Sequence, residues 1–308
     1  MILLSSKAKK ILIVCAKLLI VGASFYFIYS QLAHNDQLDW EKFSIIFQKN
    51  QSFTGIGFIL LLSVLNRFLE ILKWQNLVSQ IYEISLANAA RQVLGSLTAG
   101  LFTPNGIGEY AGKTLYFEKT FTKKIVFLNL ICNGIQMILS VFFGTVGLWF
   151  LGYRAWVFGI ICLGFAFGLL LLQLKKITLK GYSIEKLIQK TNKIPKSIHQ
   201  KNIILGISRY LIFSHQYYFL FLAFDVDLPY LPLIATISSV YFLAAMLPTF
   251  QFLDFAVKGS VAVYFFGVLG VNEWIVVFIT TLMWFLNVVL PVVIGSYFVL
   301  NFKIIKSQ

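Results

Sequence analysis

The sequence predicts an all-α polytopic membrane protein, with about six transmembrane helices and two re-entrant helical hairpins arranged as an inverted repeat. Three observations carry this. Of 308 residues, 58% are hydrophobic and only 12% charged, with a mean hydropathy of +0.81, well beyond a soluble domain. Six stretches, at 11–30, 53–72, 125–150, 156–174, 203–224 and 274–300, have the length of about 20 residues that crosses a bilayer core. Between them, a proline break followed by an acid and a lysine occurs twice.

The charge sorts by side of the membrane. The net charge of +14 would suit a nucleic-acid partner, but 17 of the 26 Lys and Arg fall in segments assigned to one side, including eight lysines from Lys175 to Lys201. Six of the twelve acids fall on the other. This bias places both termini in the cytoplasm and excludes nucleic acid as the reason for the charge. The 175–201 loop can act as a topology determinant or hold anionic headgroups. Cys15, Cys132 and Cys162 lie in apolar spans and fit neither a disulfide framework nor a metal site.

Taken in order, helix one, Ile11 to Ser30, follows Lys7, Lys9 and Lys10 without a small-residue cleavage site, so it reads as a retained helix rather than a signal peptide. Trp40 to Phe47 reads as an interfacial segment. Helix two starts at Phe53, ends at Lys73-Trp74, and carries Arg67 and Glu70. Arg67 lies about 21 Å along it at 1.5 Å per residue, where snorkelling and function are both open. Residues 86–118 form a first hairpin whose second arm is too short to cross, with its tip at Pro104-Asn105-Gly106. Such backbone needs protein or a water-filled cavity around it. Two helices, the basic loop with its amphipathic 180s, a fifth helix and a second hairpin at 231–268 follow, before the last helix from Trp274.

The second hairpin repeats the first. Glu109-Tyr110-Ala111-Gly112-Lys113 matches Asp254-Phe255-Ala256-Val257-Lys258, with the acids and the lysines both 145 residues apart. The break prolines, Pro104 and Pro248, are 144 apart, and Arg67 and Arg209 are 142 apart. Each match is short, but four in order at a near-constant offset indicate duplication. The halves, 1–152 and 153–308, would have opposite orientation, the architecture of secondary transporters with sites built from broken helices near the midplane.

In each hairpin the acid and lysine are four apart and share a helix face. They can form a structural ion pair, or yield to a phosphate bound by Lys113, Lys258, Arg67 and Arg209, with the helix N-termini after Pro104 (Asn105, Gly106, Gly108) and after Pro248 adding donors and dipole. Arg91 has no counterpart in the second hairpin and would serve the inner face. His215 reads as a packing residue or a proton relay. No metal-ligand spacing, nucleotide loop or nucleophile elbow is present, so no cofactor and no enzymatic activity are expected.

The segment from Gly100 to Glu109, with its Pro-x-Gly-x-Gly-Glu core, resembles the transmembrane region of lysylphosphatidylglycerol synthases, a flippase-like domain also found in stand-alone membrane proteins. Pro104, Gly106, Gly108 and Glu109 match that motif; the second break, Leu247 to Asp254, lacks its glycines. The resemblance implies a bacterial inner-membrane protein that moves an anionic or lipid-linked phosphate headgroup between leaflets, with the phospholipid as its partner. The synthases' soluble transferase domain is absent. The alternatives are a non-catalytic membrane partner of a separate lipid- or glycan-modifying enzyme, and a membrane-embedded headgroup enzyme.

Overall fold

The computed structural model describes residues 53–101, 103–177, 183–247 and 254–301. Helix one, the 40–47 segment and the second break with Pro248 lie outside them. Every described element is a helix: α1 (Phe53–Val78), α2 (Leu86–Leu101), α3 (Ile107–Thr114), a 3₁₀ turn (Lys119–Phe121), α4 (Thr122–Phe150), α5 (Arg154–Leu174), α6 (Ile184–Asn192), α7 (Lys196–Ala223), α8 (Tyr230–Met246), α9 (Asp254–Val268), α10 (Glu273–Trp284), a π turn (Phe285–Val289) and α11 (Leu290–Leu300). Four helical stretches among the described residues are long and apolar enough to cross a membrane: Phe53–Val78, Lys119–Phe150, Arg154–Leu174 and Glu273–Val299. The chain is thus a helical membrane protein.

Two expectations change. Helix two does not end at Lys73-Trp74: α1 runs on to Val78, and both residues are buried at 1% and 0% exposure. The fifth helix, α7, has 28 residues but is not among the four apolar spans. It carries Arg209, His215 and Gln216 along its middle, so its length comes with a polar face.

The packing repeats itself. α1 lies against α7, and the chain breaks between α2 and α3, and again between α8 and α9, with each pair packed on itself. α2 packs against α11, near the end of the chain, whereas α8 packs against α4, in its first half. Glycines set both approaches. A Cβ on Gly295 would meet the Leu94 carbonyl oxygen at 2.2 Å and Thr98 Oγ1 at 2.5 Å; one on Gly147 would meet the Ala235 carbonyl oxygen at 2.4 Å and Ser239 Oγ at 2.8 Å. A carbonyl and a hydroxyl four residues on thus receive a glycine at both contacts, the small-residue mode by which helices approach in lipid. One apolar core gathers α7 to α10 and the end of α4; a second gathers the end of α1, α2, Phe117 and the start of α4.

Candidate functional site

The site grows from the middles of α1 and α7, where Arg67 and Arg209 stand about halfway along their helices. Neither snorkels. Arg67 Nη1 donates to Glu70 Oε2 at 2.8 Å and Arg209 Nη2 to the same oxygen at 2.9 Å, with Glu70 only 7% exposed. One carboxylate therefore serves two guanidiniums. Arg209 Nε also donates to Asn66 Oδ1 at 3.0 Å, and Asn66 Nδ2 to Asn287 Oδ1 at 2.7 Å. Asn287 Nδ2 continues to Gln216 Oε1 at 3.1 Å, and Gln216 Nε2 to Ser63 Oγ at 2.5 Å.

The π turn next to this network is followed by a proline, Pro291. Pro291 has no N–H, so the Asn287 carbonyl four residues earlier lacks its helical donor. That carbonyl accepts instead from Arg67 Nη2. A proline in the last helix thus frees an acceptor for a guanidinium on α1, a standard way for backbone released at membrane depth to be satisfied.

The first break supplies a second cluster. Asn105 (φ 48°) and Gly106 (φ 67°) take left-handed conformations, which glycine and asparagine tolerate best. Thr103 Oγ1 accepts from the Gly108 amide at 2.7 Å, occupying one donor at the start of α3. Gly108 and Gly112 seat α3 on α2, since a Cβ on Gly108 would lie 2.2 Å from the Ala99 carbonyl oxygen and one on Gly112 2.9 Å from Ser96 Cβ. Tight seating carries Glu109 and Lys113 inward. Lys113, fully buried, donates to Glu109 Oε1 and to Asn129 Oδ1, both at 2.6 Å, and lies 4.4 Å from the centre of the Trp74 ring. Trp74 Nε1 is held by Gln92 Oε1 at 2.7 Å. Beside it, Lys73 donates to the Cys132 carbonyl at 3.0 Å, with no carboxylate at ion-pair distance among the described residues. Trp74, under Lys113, stands four residues after Glu70 on α1, which puts the two clusters on one helix face.

The second pair is built alike and sits differently. Lys258 Nζ bonds Asp254 Oδ2 at 2.5 Å and lies 4.9 Å from the Tyr241 ring centre. Its side chains are 26% and 22% exposed, against 0% and 7% for Lys113 and Glu109. The Tyr241 ring also packs against Phe213 and Tyr217 of α7, the helix that carries Arg209.

Among the sequence-predicted residues, the structure thus assembles Arg67, Arg209, Glu109 and Lys113 in its interior, and reaches Asp254 and Lys258 through Tyr241. Pro104 and Asn105 form an exposed turn, and Arg91 is exposed on α2 rather than joined to the cluster. His215 accepts from Tyr230 at Nε2 (2.9 Å) if Nδ1 donates to the Leu211 carbonyl (2.8 Å), a packing arrangement. Sequence reasoning passed over Asn66, Glu70, Lys73, Asn129 and Asn287 as site residues. Glu70 and Lys73 had a signal, being charges deep in an apolar span; Asn287 had one in the proline four residues later. No known protein family, curated protein or solved structure matches this chain.

Proposed function

We propose that this chain is a lipid translocase of a bacterial inner membrane, moving an anionic or lipid-linked phosphate headgroup by alternating access between two opposed re-entrant hairpins, 86–118 and 231–268. The observation that carries the reading is a surplus of positive charge within the helix packing, fully buried at Lys73 and Lys113 and partly buried at Arg67 and Arg209, whose side chains are 12% and 18% exposed. Among the described residues, four cations, Arg67, Lys73, Lys113 and Arg209, face two carboxylates, Glu70 and Glu109, and Asp254 and Lys258 neutralise each other. Two uncompensated positive charges at membrane depth are costly, and an anion that arrives with its own oxygens relieves them. Guanidiniums suit this, since their paired donors match a phosphate.

The reciprocal contacts of α2 with α11 and of α8 with α4 support an inverted repeat, with halves 1–152 and 153–308. The contrast between the enclosed Glu109–Lys113 pair and the partly open Asp254–Lys258 pair supports a resting state closed at the first hairpin and open at the second. With the cytoplasmic side assigned from the lysines, that state faces outward. The Pro104 to Glu109 motif supports kinship with the transmembrane region of lysylphosphatidylglycerol synthases.

The test is lipid flipping in liposomes reconstituted with the purified protein, followed by quenching of a fluorescent anionic phospholipid in the outer leaflet. Glu109→Gln and Lys113→Gln are expected to abolish flipping while the protein remains folded and monodisperse. Normal flipping in both variants overturns the proposal. The alternative, a non-catalytic partner of a separate modifying enzyme, predicts that both variants retain full activity of that enzyme.

A further inference from the structure

Outside the central cluster, α5 and α6 form an arrangement that the translocation reading does not use. α5 is apolar along its whole length, yet only Val157 is buried in the fold. At its end the Lys175 carbonyl accepts from the Glu185 amide at 3.0 Å, which ties the start of α6 beside it. Ser183 caps α6 through its hydroxyl, accepting from the Lys186 amide. Between the two helices runs a groove of about 600 Å³, with Gly164 and Gly168 on its floor, Leu172, Ile184 and Ile188 on its walls and Lys175 at its end. That is the size of a ligand site.

The groove has the polarity of a phospholipid. Its length along α5 is apolar and Lys175 lines its end; the described residues from 175 to 193 around it carry four more lysines, Lys176, Lys186, Lys190 and Lys193, against one acid, Glu185. All five lysines are exposed. An acyl chain matches the glycine floor, where a Cβ would meet nothing within 4 Å, and an anionic headgroup matches the lysines. A neighbouring apolar helix would match the walls of the groove but not its basic end.

We propose that the α5–α6 groove is a binding site for an anionic phospholipid of the leaflet that the lysines face, with one acyl chain along Gly164 and Gly168 and the phosphate at Lys175. This lipid is a resident of the outer wall of the protein. Its site shares no residue with the Arg67–Arg209 cluster, so it stands or falls independently of the translocase reading.

The experiment is native mass spectrometry of the delipidated full chain, titrated with dioleoylphosphatidate and, separately, with dioleoylphosphatidylcholine. Both have the same chains and a phosphate but differ in net charge. The wild type is expected to bind phosphatidate about fivefold more tightly for each lysine engaged. Gly168→Leu, which enters open space and so leaves the fold intact, should remove one bound lipid of either kind. Lys175→Gln should bring that site's phosphatidate affinity down toward that of phosphatidylcholine while leaving the latter unchanged. Equal binding of the two lipids by the wild type, an unchanged lipid count in Gly168→Leu, or a phosphatidate preference that survives Lys175→Gln overturns the proposal. So does a co-purifying protein whose release is required before lipid binds.

Discussion

Glu70 is the residue whose removal the structure makes most informative. Its side chain is 7% exposed, and one of its oxygens holds Arg67 at 2.8 Å and Arg209 at 2.9 Å. Glu70→Gln keeps the shape and one neutral acceptor but leaves two guanidiniums facing each other. Removing one partner of a buried ion pair costs about 3–5 kcal/mol, because the other charge stays buried and unpaired. Hydrogen bonds to charged groups, at about 1.5–3 kcal/mol each, give a similar total for the two guanidinium–carboxylate bonds. The expected destabilisation is therefore about 3 kcal/mol or more, read from denaturant unfolding in detergent micelles against Glu118→Gln, an exposed control. Adding Arg209→Gln to Glu70→Gln removes one of the two opposed cations and should recover at least about 1 kcal/mol, within the coupling range of residues in one network. A Glu70→Gln protein as stable as the Glu118→Gln control, or a double variant weaker by the plain sum of both changes, would refute the shared-carboxylate account.

Two further outcomes follow from backbone geometry. Gly108→Ala forces a Cβ to 2.2 Å from the Ala99 carbonyl oxygen and should cost about 1–3 kcal/mol through overpacking, whereas Gly134→Ala, with nothing within 4 Å of its Cβ, should stabilise the helix slightly; equal melting temperatures for the two variants would count against the seating of α3 on α2. Pro291→Ala restores the amide that competes with Arg67 for the Asn287 carbonyl, so it should raise thermal stability while lowering lipid flipping, and an unchanged flipping rate would show that the Arg67 contact is dispensable.

The helices themselves were legible in the sequence because each is a hydrophobic run bounded by charge, glycine or proline. The arms at Leu86–Leu101 and Ile107–Thr114 flank the break at Pro104, and those at Tyr230–Met246 and Asp254–Val268 flank the one at Pro248. The charged pairs were legible too, since four-residue spacing fixes a common face. Partnerships across the fold were not. Nothing local to Asn66-Arg67-Phe68-Leu69-Glu70 says that the carboxylate will be shared with an arginine 139 residues away on α7, or that Lys73 will turn inward rather than mark the membrane surface. Both depend on α1 packing along α7 and α4, a long-range outcome that periodicity does not encode.

That long-range outcome also relocates the proposed anion site. From sequence, a phosphate would have to displace Glu109 from Lys113 or Asp254 from Lys258. In the fold, displacing Glu109 would break a 2.6 Å contact and strand a carboxylate at 7% exposure, which is penalised as heavily as the cation it leaves. The arginines need no such exchange. Arg67 and Arg209 share one carboxylate, and Arg67 Nε is buried without an acceptor among the described residues. An arriving phosphate would complete the charge balance there by addition rather than substitution. On the proposed function, the two acid–lysine pairs would act as latches, and their unequal exposure, 0% and 7% against 26% and 22%, would correspond to one hairpin being shut. Binding at the centre and closure at the hairpins are separable on this reasoning: neutralising Arg209 should weaken lipid binding in both access states, whereas neutralising Lys113 or Lys258 should shift the balance between those states while leaving the headgroup's hold on the arginines intact.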